Sequence, residues 1–408
     1  MNFDVAIIGA GLNGLATALA LGSARNRRPL RVVVVDKKDP RNFTQQAHDS
    51  RGTALTPVTQ RMLRTLGVWE ELKNDVVPMA HISVTDGALQ SETVRPVLLN
   101  FDSEGHSSAV IADNYKLFSA LLAAVENAPF ITIKSGAAVA GLTFVPGLAR
   151  VRLETDETLT GSLVVGVDGR NSYVRRIAKI ETQVKDYGQS AISLSFSHEL
   201  PHEGLAEEHF TPTGVLAVLP LPGNRASVVW AERTEVAKHH MALDAETFQV
   251  VLQNAIGTRR GKITALGPRH THPLAVMVAK TLVADRCALV GDAAHVIHPL
   301  AGLGLNLGFK DAAALADCVA DAALIGQDIG SFAVLERYQQ WRRFDMVATA
   351  YAMDGFHRLF MNDNPALKLL RETGLSFVEK IPSIKRALMQ EATGLRGDIP
   401  RLMRGLRV

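Results

Sequence analysis

Glycines and carboxylates in the first part of the chain have the spacing of groups that hold a phosphate-bearing ligand. Gly9, Gly11 and Gly14 form a Gly-x-Gly-x-x-Gly turn, and Asp36 follows 22 residues after Gly14. Such a turn bends tightly, brings backbone amides close to a pyrophosphate and lets the next helix pack closely, while the later carboxylate accepts hydrogen bonds from a ribose. The spacing predicts a dinucleotide site and leaves open whether the ligand is FAD or NAD.

Two later segments carry similar groups. Asp168 and Gly169 stand at the end of one apolar run, Gly291 and Asp292 stand at the end of another, and a loop rich in Pro and Gly continues from the second to Asn306. An Asp-Gly turn alone is common. A second glycine-bearing strand end is nevertheless what a bound pyrophosphate and an incoming nicotinamide need.

The elements around these motifs predict an α/β sheet. Residues 3–8 and 31–35 are short apolar runs typical of buried parallel strands, and apolar residues recur at helical spacing after Gly14. A helix that starts at the glycine turn directs unpaired N–H groups and a partial positive charge at the phosphates. The strand, helix and terminal acid therefore agree with the motif.

Composition narrows the class of protein. The chain has 408 residues, of which 47% are hydrophobic and 21% charged, and its net charge of +3 is too small to indicate nucleic-acid binding. Cys287 and Cys318 lie in apolar runs and are interpreted as reduced core residues. No charge occurs from Val5 to Ser23, but Asp4 precedes this stretch and glycines interrupt it, which disfavours a membrane span or signal peptide.

Two other chemistries lack support in the sequence. His295 and His298 are three residues apart, but no third carboxylate or thiolate falls at a usable spacing, so we expect no metal. Ser50 and Ser172 lack the glycine-framed turn of a nucleophilic serine, so a hydrolase is not indicated.

The whole chain resembles the flavin-dependent aromatic hydroxylases with a single FAD-binding domain (the para-hydroxybenzoate hydroxylase fold), and within them the ubiquinone-biosynthesis hydroxylases. The segments that carry the resemblance are GAGLNG at 9–14, DSRGTAL at 49–55, VGVDGRNSYVR at 165–175, GDAAHVIHPLAGLGLNLG at 291–308 and GLRGDIPRLMRG at 394–405. It implies a Rossmann-like FAD-binding domain of the glutathione-reductase type. An inserted antiparallel β-sheet substrate domain and a C-terminal helical region complete the expected fold.

The resemblance also implies roles for residues. Asp36 would hold the adenosine ribose, Arg51 would lie over the cofactor, Asp168 with Gly169 would support the pyrophosphate and nicotinamide docking, and Asp292 would hold the ribityl chain. The glycines of the first turn and Gly291 complete the expected contacts of this part of FAD.

A loop that we call the flavin loop, residues 299–306, would line the isoalloxazine. Its members are Pro299, Gly302 and Gly304, expected nearest the reaction, and Leu303, Leu305 and Asn306, expected as further cofactor contacts. Amides aligned at a helix start stabilise the negative charge at N1 of reduced flavin by roughly 0.3–2 kcal/mol. The sequence identifies no acid or base for proton transfer.

Three positions depart from the family pattern. Leu303 replaces a glutamine of the loop, Tyr115 stands where an arginine that contacts FAD is usual, with Lys116 as its neighbour, and Asp36 replaces the more frequent glutamate. Leu303 and Tyr115 motivate an alternative, a scaffold that keeps the fold inside a biosynthetic complex and has lost turnover.

The distance between the motifs predicts a discontinuous FAD-binding domain. Its pieces are 1–75, 106–178 and 270–330, with a strand-rich substrate domain in 76–105 and 179–269 and a helical region in 331–408. One face of the substrate sheet could wall an aromatic pocket. The candidates for this wall, for which plain core packing is the alternative, are Phe196, Leu216, Val218 and Trp230.

The predicted activity follows from the resemblance. NAD(P)H would dock transiently and reduce FAD, O2 would add at flavin C4a, and the distal oxygen of the hydroperoxide would pass to the ring of a polyprenyl phenol on the route to ubiquinone. Hydroxylation of a soluble aromatic and reduction of a prenyl chain are the alternatives among enzymes.

Partners and location are predicted from the same resemblance and from the end of the chain. Other ubiquinone-biosynthesis proteins are candidate partners, and nucleic acid is not. The basic, apolar-faced tail predicts either a peripheral contact with the inner membrane or a helical cap with solvated lysines, on a protein otherwise expected in the cytoplasm.

Overall fold

A computed structural model describes residues 2–46, 51–86, 97–102, 109–211, 213–298, 302–360 and 397–408. Its strands are β1 (Val5–Ile8), β2 (Val32–Asp36), β3 (Gly52–Leu55), β4 (Val76–Pro78), β5 (His81–Asp86), β6 (Val97–Asp102), β7 (Val110–Asp113), β8 (Ile131–Ser135), β9 (Val139–Val145), β10 (Leu148–Leu153), β11 (Thr158–Gly161), β12 (Leu163–Gly166), β13 (Thr182–His198), β14 (Leu205–Phe210), β15 (Val215–Leu221), β16 (Arg225–Arg233), β17 (Ile263–Leu266), β18 (His270–Ala279), β19 (Val283–Ala284), β20 (Cys287–Leu289) and β21 (His295–Val296).

The α-helices of the described residues are α1 (Leu12–Gly22), α2 (Pro40–Gln46), α3 (Pro57–Leu66), α4 (Trp69–Leu72), α5 (Asn114–Glu126), α6 (Tyr173–Ile177), α7 (Thr234–Ala242), α8 (Ala245–Ile256), α9 (Gly304–Leu324) and α10 (Phe332–Phe360). Two 3-10 turns, η1 (Gly291–Ala293) and η2 (Arg401–Arg404), complete the elements.

A six-stranded sheet organises the cofactor side of the molecule. Its order is β19-β20-β12-β1-β2-β8, and all its pairs are parallel except β19 with β20. The short, wholly apolar strands are buried on both faces, as parallel sheets require. Strands β1, β12 and β20 are neighbours, so the three predicted motifs meet at their carboxyl ends. This confirms the predicted α/β fold.

A second, mostly antiparallel sheet forms the other side. Its order is β21-β18-β13-β16-β15-β14-β5-β6, and β17 pairs with β13. The long strand β13 is the core of this sheet because it pairs with β16 on one side and β18 on the other. Strands β15 and β16 follow one another in the chain, with a turn between them.

Strand β18 differs from the predicted division of the chain. Residues 270–279 had been assigned to the FAD-binding domain, but they pair with β13 from His270–Ser193 to Ala279–Thr182. The strand belongs to the antiparallel sheet because the chain returns to the parallel sheet only at β19 and β20.

One face of this sheet is packed as core, not as the wall of a pocket. Ile192, Leu194 and the four candidates form one buried cluster with Phe248, Leu252 and Ile256 of α8; the candidates are Phe196, Leu216, Val218 and Trp230. Side chains alternate along a strand, so this face is the one that α7 and α8 cover. The core interpretation of these four residues is confirmed.

The remaining expectations concern single segments. Cys287 and Cys318 are free and buried, and burial raises the pKa of these thiols to about 12 and about 11. The predicted helical region of 331–408 contains α10, and residues 361–396 of this region lie outside the described residues. None of the helices in the described ranges has both the length and the apolar character needed to cross a bilayer.

Candidate cofactor cleft

The first glycine turn is built by close packing. Gly9 has φ +113°, and a Cβ there would lie 2.4 Å from the carbonyl oxygen of Val167. A Cβ on Gly14 would lie 2.0 Å from the carbonyl oxygen of Gly9, so only glycine lets α1 approach the turn. Gly11 precedes α1, and a Cβ there would have no neighbour within 4 Å. The open side of the turn is therefore at Gly11, where a pyrophosphate can approach.

Asp36 is half-buried at the end of β2 and faces this turn. One carboxylate oxygen accepts the amide N–H of Ala10 at 2.7 Å, and the other accepts that of Lys38 at 2.9 Å. The side chain therefore orders the turn itself, a role that the sequence analysis missed. Its assigned role toward a ribose stays a prediction.

Asp168 accepts hydrogen bonds from the first amides of the short helix α6. Its Oδ2 accepts the amides of Tyr173 at 2.6 Å and Val174 at 3.1 Å, while its Oδ1 is buried and has no hydrogen-bond partner in the described part of the chain. Arg175 donates to the carbonyls of Ala293 at 2.7 Å and Arg170 at 2.7 Å. The segment with Gly169, which has φ +82°, is thus tied to the segment with Asp292.

Asp292 lies in a concave, water-accessible recess. Asp292 is exposed, yet enough protein atoms surround its carboxylate that desolvation raises its pKa, against the opposing influence of His295, Arg51 and Arg170. Such a carboxylate is open to water on one side and surrounded by protein atoms on the others. The structure therefore brings the predicted residues Arg51 and Asp292 together.

Asn13 joins this recess to the first turn, which the sequence analysis missed. A Cβ on Gly291 would lie 2.5 Å from Asn13 Nδ2, and one on Gly308 would lie 2.4 Å from the same atom. The amide therefore fills a space that two glycines leave. The glycines at 291 and 308 were the available signal, since each stands where a side chain would displace Asn13.

The flavin loop enters α9 beside strand β3. Gly302 has φ +60°, and Leu307 N donates to Leu303 O at 3.0 Å, so the amides of Gly304 and Leu305 precede the helical ladder. Pro299 lies outside the described residues. Gly302 to Leu305 are half-buried, which leaves the helix start accessible from the cleft.

The side chain of Asn306 forms hydrogen bonds with other groups of the protein. Its Oδ1 accepts from Thr56 N at 3.1 Å and Thr59 Oγ1 at 2.8 Å, and its Nδ2 donates to Ala54 O at 2.7 Å. The side chain holds the helix start against the segment 54–59. A cofactor contact by Asn306 would therefore come from its backbone amide.

Leu303 packs in an apolar cluster. Its partners are Ile297, Leu307, Ala350, Val276 and Val278. A glutamine at this position would place an amide among these groups. The replacement of the usual polar residue is thus matched by its surroundings.

Lys116 does not take the place of the arginine that is usual at the position of Tyr115. Lys116 forms an ion pair with Asp75 at 3.2 Å, and Tyr115 donates its backbone amide to Asp113 Oδ1 at 2.9 Å as part of the α5 cap. The side chain of Lys116 is therefore directed to Asp75. Nothing in the described residues assigns it to the cofactor.

A buried ionic cluster that the sequence analysis missed lies beneath the recess. Asp311 accepts from His295 Nε2 at 2.5 Å, Arg342 Nε at 2.8 Å and Gly291 N at 3.1 Å. Although burial opposes ionisation, the His295 and Arg342 charges and hydrogen bonds hold the pKa of Asp311 below its usual value. Arg342 also reaches Asp345 at 2.7 Å. The cluster ties α10 to the turn that carries Asp292.

Proteins of similar sequence extend over nearly the whole of this chain. Residues 2–352 match the protein family described as FAD binding domain. The ubiquinone hydroxylase UbiL of Rhodospirillum rubrum is 37% identical and covers 99% of this chain and 93% of its own. The 3-demethoxyubiquinol 3-hydroxylase of Escherichia coli is 32% identical over 96% of this chain and 98% of its own.

Solved structures give the same fold. The structure of PqsL of P. aeruginosa in complex with 2-aminobenzoylacetate has a TM-score of 0.73 at 22% identity, covering 92% of this chain and 99% of that one. Given the family match and relatives that extend over nearly the whole chain, this protein belongs to the FAD binding domain family, among the FAD-dependent aromatic monooxygenases of ubiquinone biosynthesis.

Proposed function

We propose that this protein uses FAD, NAD(P)H and O2 to hydroxylate the aromatic ring of a polyprenyl phenol during ubiquinone biosynthesis. The observation that carries the proposal is the convergence of the Gly11 turn, the Asp292 recess and the start of α9 on one cleft. The proposal is supported by the relatives named as ubiquinone hydroxylases, which extend over nearly the whole chain.

The residues of the cleft fit FAD. The open side of Gly11 and the free N-terminus of α1 suit the pyrophosphate, Asp36 suits the adenosine ribose, and the accessible carboxylate of Asp292 suits the hydroxyls of the ribityl chain. The unpaired Oδ1 of Asp168 is a further acceptor beside the same turn. When bound and reduced, FAD supplies the activation of O2 and the transfer of one oxygen atom.

The protein supplies position and charge. The amides of Gly302 and Gly304 lie at the start of a 21-residue helix, whose partial positive charge favours an anionic ring system beside it. Arg51 adds a cation to the same cleft. We assign Leu303 and Leu305 to the same wall, where they shape the site without a role in proton transfer.

A prenylated substrate suggests contact with a membrane surface. Phe344 and Tyr351, seven residues apart on α10, are 79% and 68% exposed, and Arg343, which immediately precedes Phe344, is exposed as well. Aromatic side chains next to cations are typical of interfacial helices. We propose that this side of α10 contacts the bilayer where the substrate resides.

Turnover by purified, FAD-loaded protein tests the function. We expect NADH or NADPH oxidation that depends on a 2-polyprenylphenol, together with a product 16 mass units heavier that carries one atom from labelled O2. A prenyl reductase would give a product without oxygen consumption. FAD-loaded protein that oxidises neither nicotinamide in the presence of the phenol and O2 would instead favour the scaffold alternative.

A further inference from the structure

The antiparallel sheet has one face that is free of α7 and α8 and turns toward the flavin loop. Ser227, on that face of β16, accepts the amide of Gly52 at 2.8 Å. Gly52 begins β3, and Ala54 of the same strand is held by Asn306 at the start of α9. This face, which we call the cleft face, is therefore joined to the flavin loop through one short strand.

Four residues in register across the cleft face remain partly accessible. Glu208 pairs with Val84 on one side and with Ala217 on the other, and Ala217 pairs with Val229. All four are half-buried, whereas the residues before and after Ala217 and Val229 are buried. We call Val84, Glu208, Ala217 and Val229 the open row; three strand spacings give it a length of roughly 14 Å.

Glu208 is the only ionisable member of the open row. Ala206 and Phe210, its neighbours along β14 on the same face, are buried and apolar. Its cross-strand partners, Val84 and Ala217, are apolar as well. Desolvation raises the pKa of Glu208 from the usual 4.5 to about 7. At neutral pH the carboxyl is thus divided between its acid and base forms.

The adjacent carboxylate shows what an ordinary structural role looks like here. Glu207 points to the opposite face, where it is buried and pairs with Arg260 and, at 3.6 Å, with Arg259. Among the described residues, Glu208 has neither a hydrogen-bond partner nor an ion-pair partner for its carboxylate. A carboxyl set among apolar groups and facing a cleft costs stability, so a ligand is its natural partner.

We propose that Glu208 is the catalytic base that accepts the phenolic proton of the ring bound over the open row, an inference that rests on the proposed hydroxylation. The phenol O–H bond breaks, the proton passes to a carboxylate oxygen of Glu208, and the electron pair stays on the phenolate oxygen. A phenolate donates electrons to an electrophilic oxygen more readily than the phenol does. Val84, Ala217 and Val229 give the ring and its prenyl group apolar contact.

Other charged groups on the cleft face are distant or paired. His270 lies four strands from Glu208, which is roughly 19 Å. His272 lies on the same strand, β18, and Arg225 of β16 is 3.8 Å from Asp113 in the three-stranded sheet of order β3-β7-β4. Arg233, four residues beyond Val229 on the same face of β16, is exposed at the end of that strand.

Turnover of a series of phenols tests the role. In Glu208→Gln we expect kcat/KM with 2-prenylphenol to fall about 10²- to 10⁴-fold, the usual contribution of a positioned base. With 2-prenyl-4-nitrophenol, which ionises unaided near neutral pH, the ratio of wild type to variant should be at least tenfold smaller. The kcat/KM of wild type should rise with pH, with a midpoint near pH 7, and that of Glu208→Gln should lack this rise. Glu246→Gln is the matched control and should behave as wild type, because Glu246 is an exposed residue of α8 on the opposite side of the sheet.

A binding measurement decides the matter without turnover. The absorbance of 4-nitrophenol near 400 nm reports its ionisation when bound to FAD-loaded protein. A carboxylate beside the phenol oxygen opposes phenolate formation, so the bound phenol should ionise at a higher pH in wild type than in Glu208→Gln, by at least one pH unit. His270→Gln and Glu246→Gln should leave the wild-type value unchanged.

The outcomes separate the two proposals. Wild-type protein that binds 4-nitrophenol with the Glu208-dependent shift but hydroxylates no phenol would contradict the proposed function and keep the contact of Glu208 with the phenol. Equal ratios of wild type to Glu208→Gln across the phenol series, or an unchanged ionisation of bound 4-nitrophenol, would overturn the base. Flavin absorbance and the melting temperature of Glu208→Gln check that the variant retains FAD and fold.

Discussion

Arg342→Met should destabilise the protein by about 3–5 kcal/mol, the usual cost of breaking a buried ion pair from one side. Arg342 is 0% exposed and donates from Nε to Asp311 at 2.8 Å and from Nη1 to Asp345 at 2.7 Å. Methionine keeps the apolar stem but leaves the carboxylate of Asp311 buried with only His295 and the amide of Gly291 as partners. Few single substitutions on α10 should cost as much.

Urea unfolding of FAD-free protein at pH 7 measures this loss, and Arg343→Met is the matched control. Arg343 is the next residue and is exposed, so its replacement should change the unfolding free energy by less than about 0.5 kcal/mol. Adding Asp311→Leu to Arg342→Met should recover part of the loss, because the unpaired carboxylate is then absent. Equal stability of the two arginine variants would refute the reasoning.

The pH dependence provides a second readout of the same cluster. His295 and Arg342 hold the pKa of Asp311 below its unfolded value of 3.8. The stabilisation by the ionised carboxylate is therefore present above that value and is lost as pH falls through the lower folded pKa. In Arg342→Met the folded pKa of Asp311 should rise, so its stability should decline less steeply on acidification than that of wild type.

Three further substitutions test the cleft. Gly14→Ala places a Cβ 2.0 Å from Gly9 O and should abolish FAD retention, and a yellow, loaded variant would contradict this. Asp36→Ala should weaken FAD binding by about 1.5–3 kcal/mol in an equilibrium titration, since it removes a charge-assisted acceptor and the bond to Ala10 N; an unchanged Kd would count against its ribose role. Leu303→Gln should lower the unfolding free energy by about 1–3 kcal/mol by placing an amide in the apolar cluster, and a more stable variant would show that the loop has a polar partner there.

The sequence predicted the parts of the fold that depend on local pattern. The glycine turn, the buried strands and α10 were recognisable because each is encoded within about 30 neighbouring residues. The pairing of Asp311 with Arg342 was not, since two residues 31 apart on different helices carry no sign of contact. The same holds for Asn13, which fits between two glycines almost 300 residues later.

Alternation predicted two faces for the substrate sheet but could not say which one the helices cover. Apolar side chains at Phe196, Leu216 and Trp230 suit a pocket wall as well as a core, and only the packing of α8 decides between them. Glu208 escaped notice for the converse reason, because a carboxylate in a strand is usually interpreted as solvated. Its register with Ala217 and Val229 is visible only once the strands are paired.

The ionic cluster has a consequence for how the protein acquires its cofactor during translation. Strand β1 leaves the ribosome first, but its neighbours β12 and β20 follow more than 150 and 280 residues later, and Arg342 follows them. The carboxyl ends to which we assign FAD thus cannot be assembled on a half-made chain. We expect nascent chains stalled before residue 342 to stay colourless when flavin is supplied, and loading to begin only when α10 has emerged and docked.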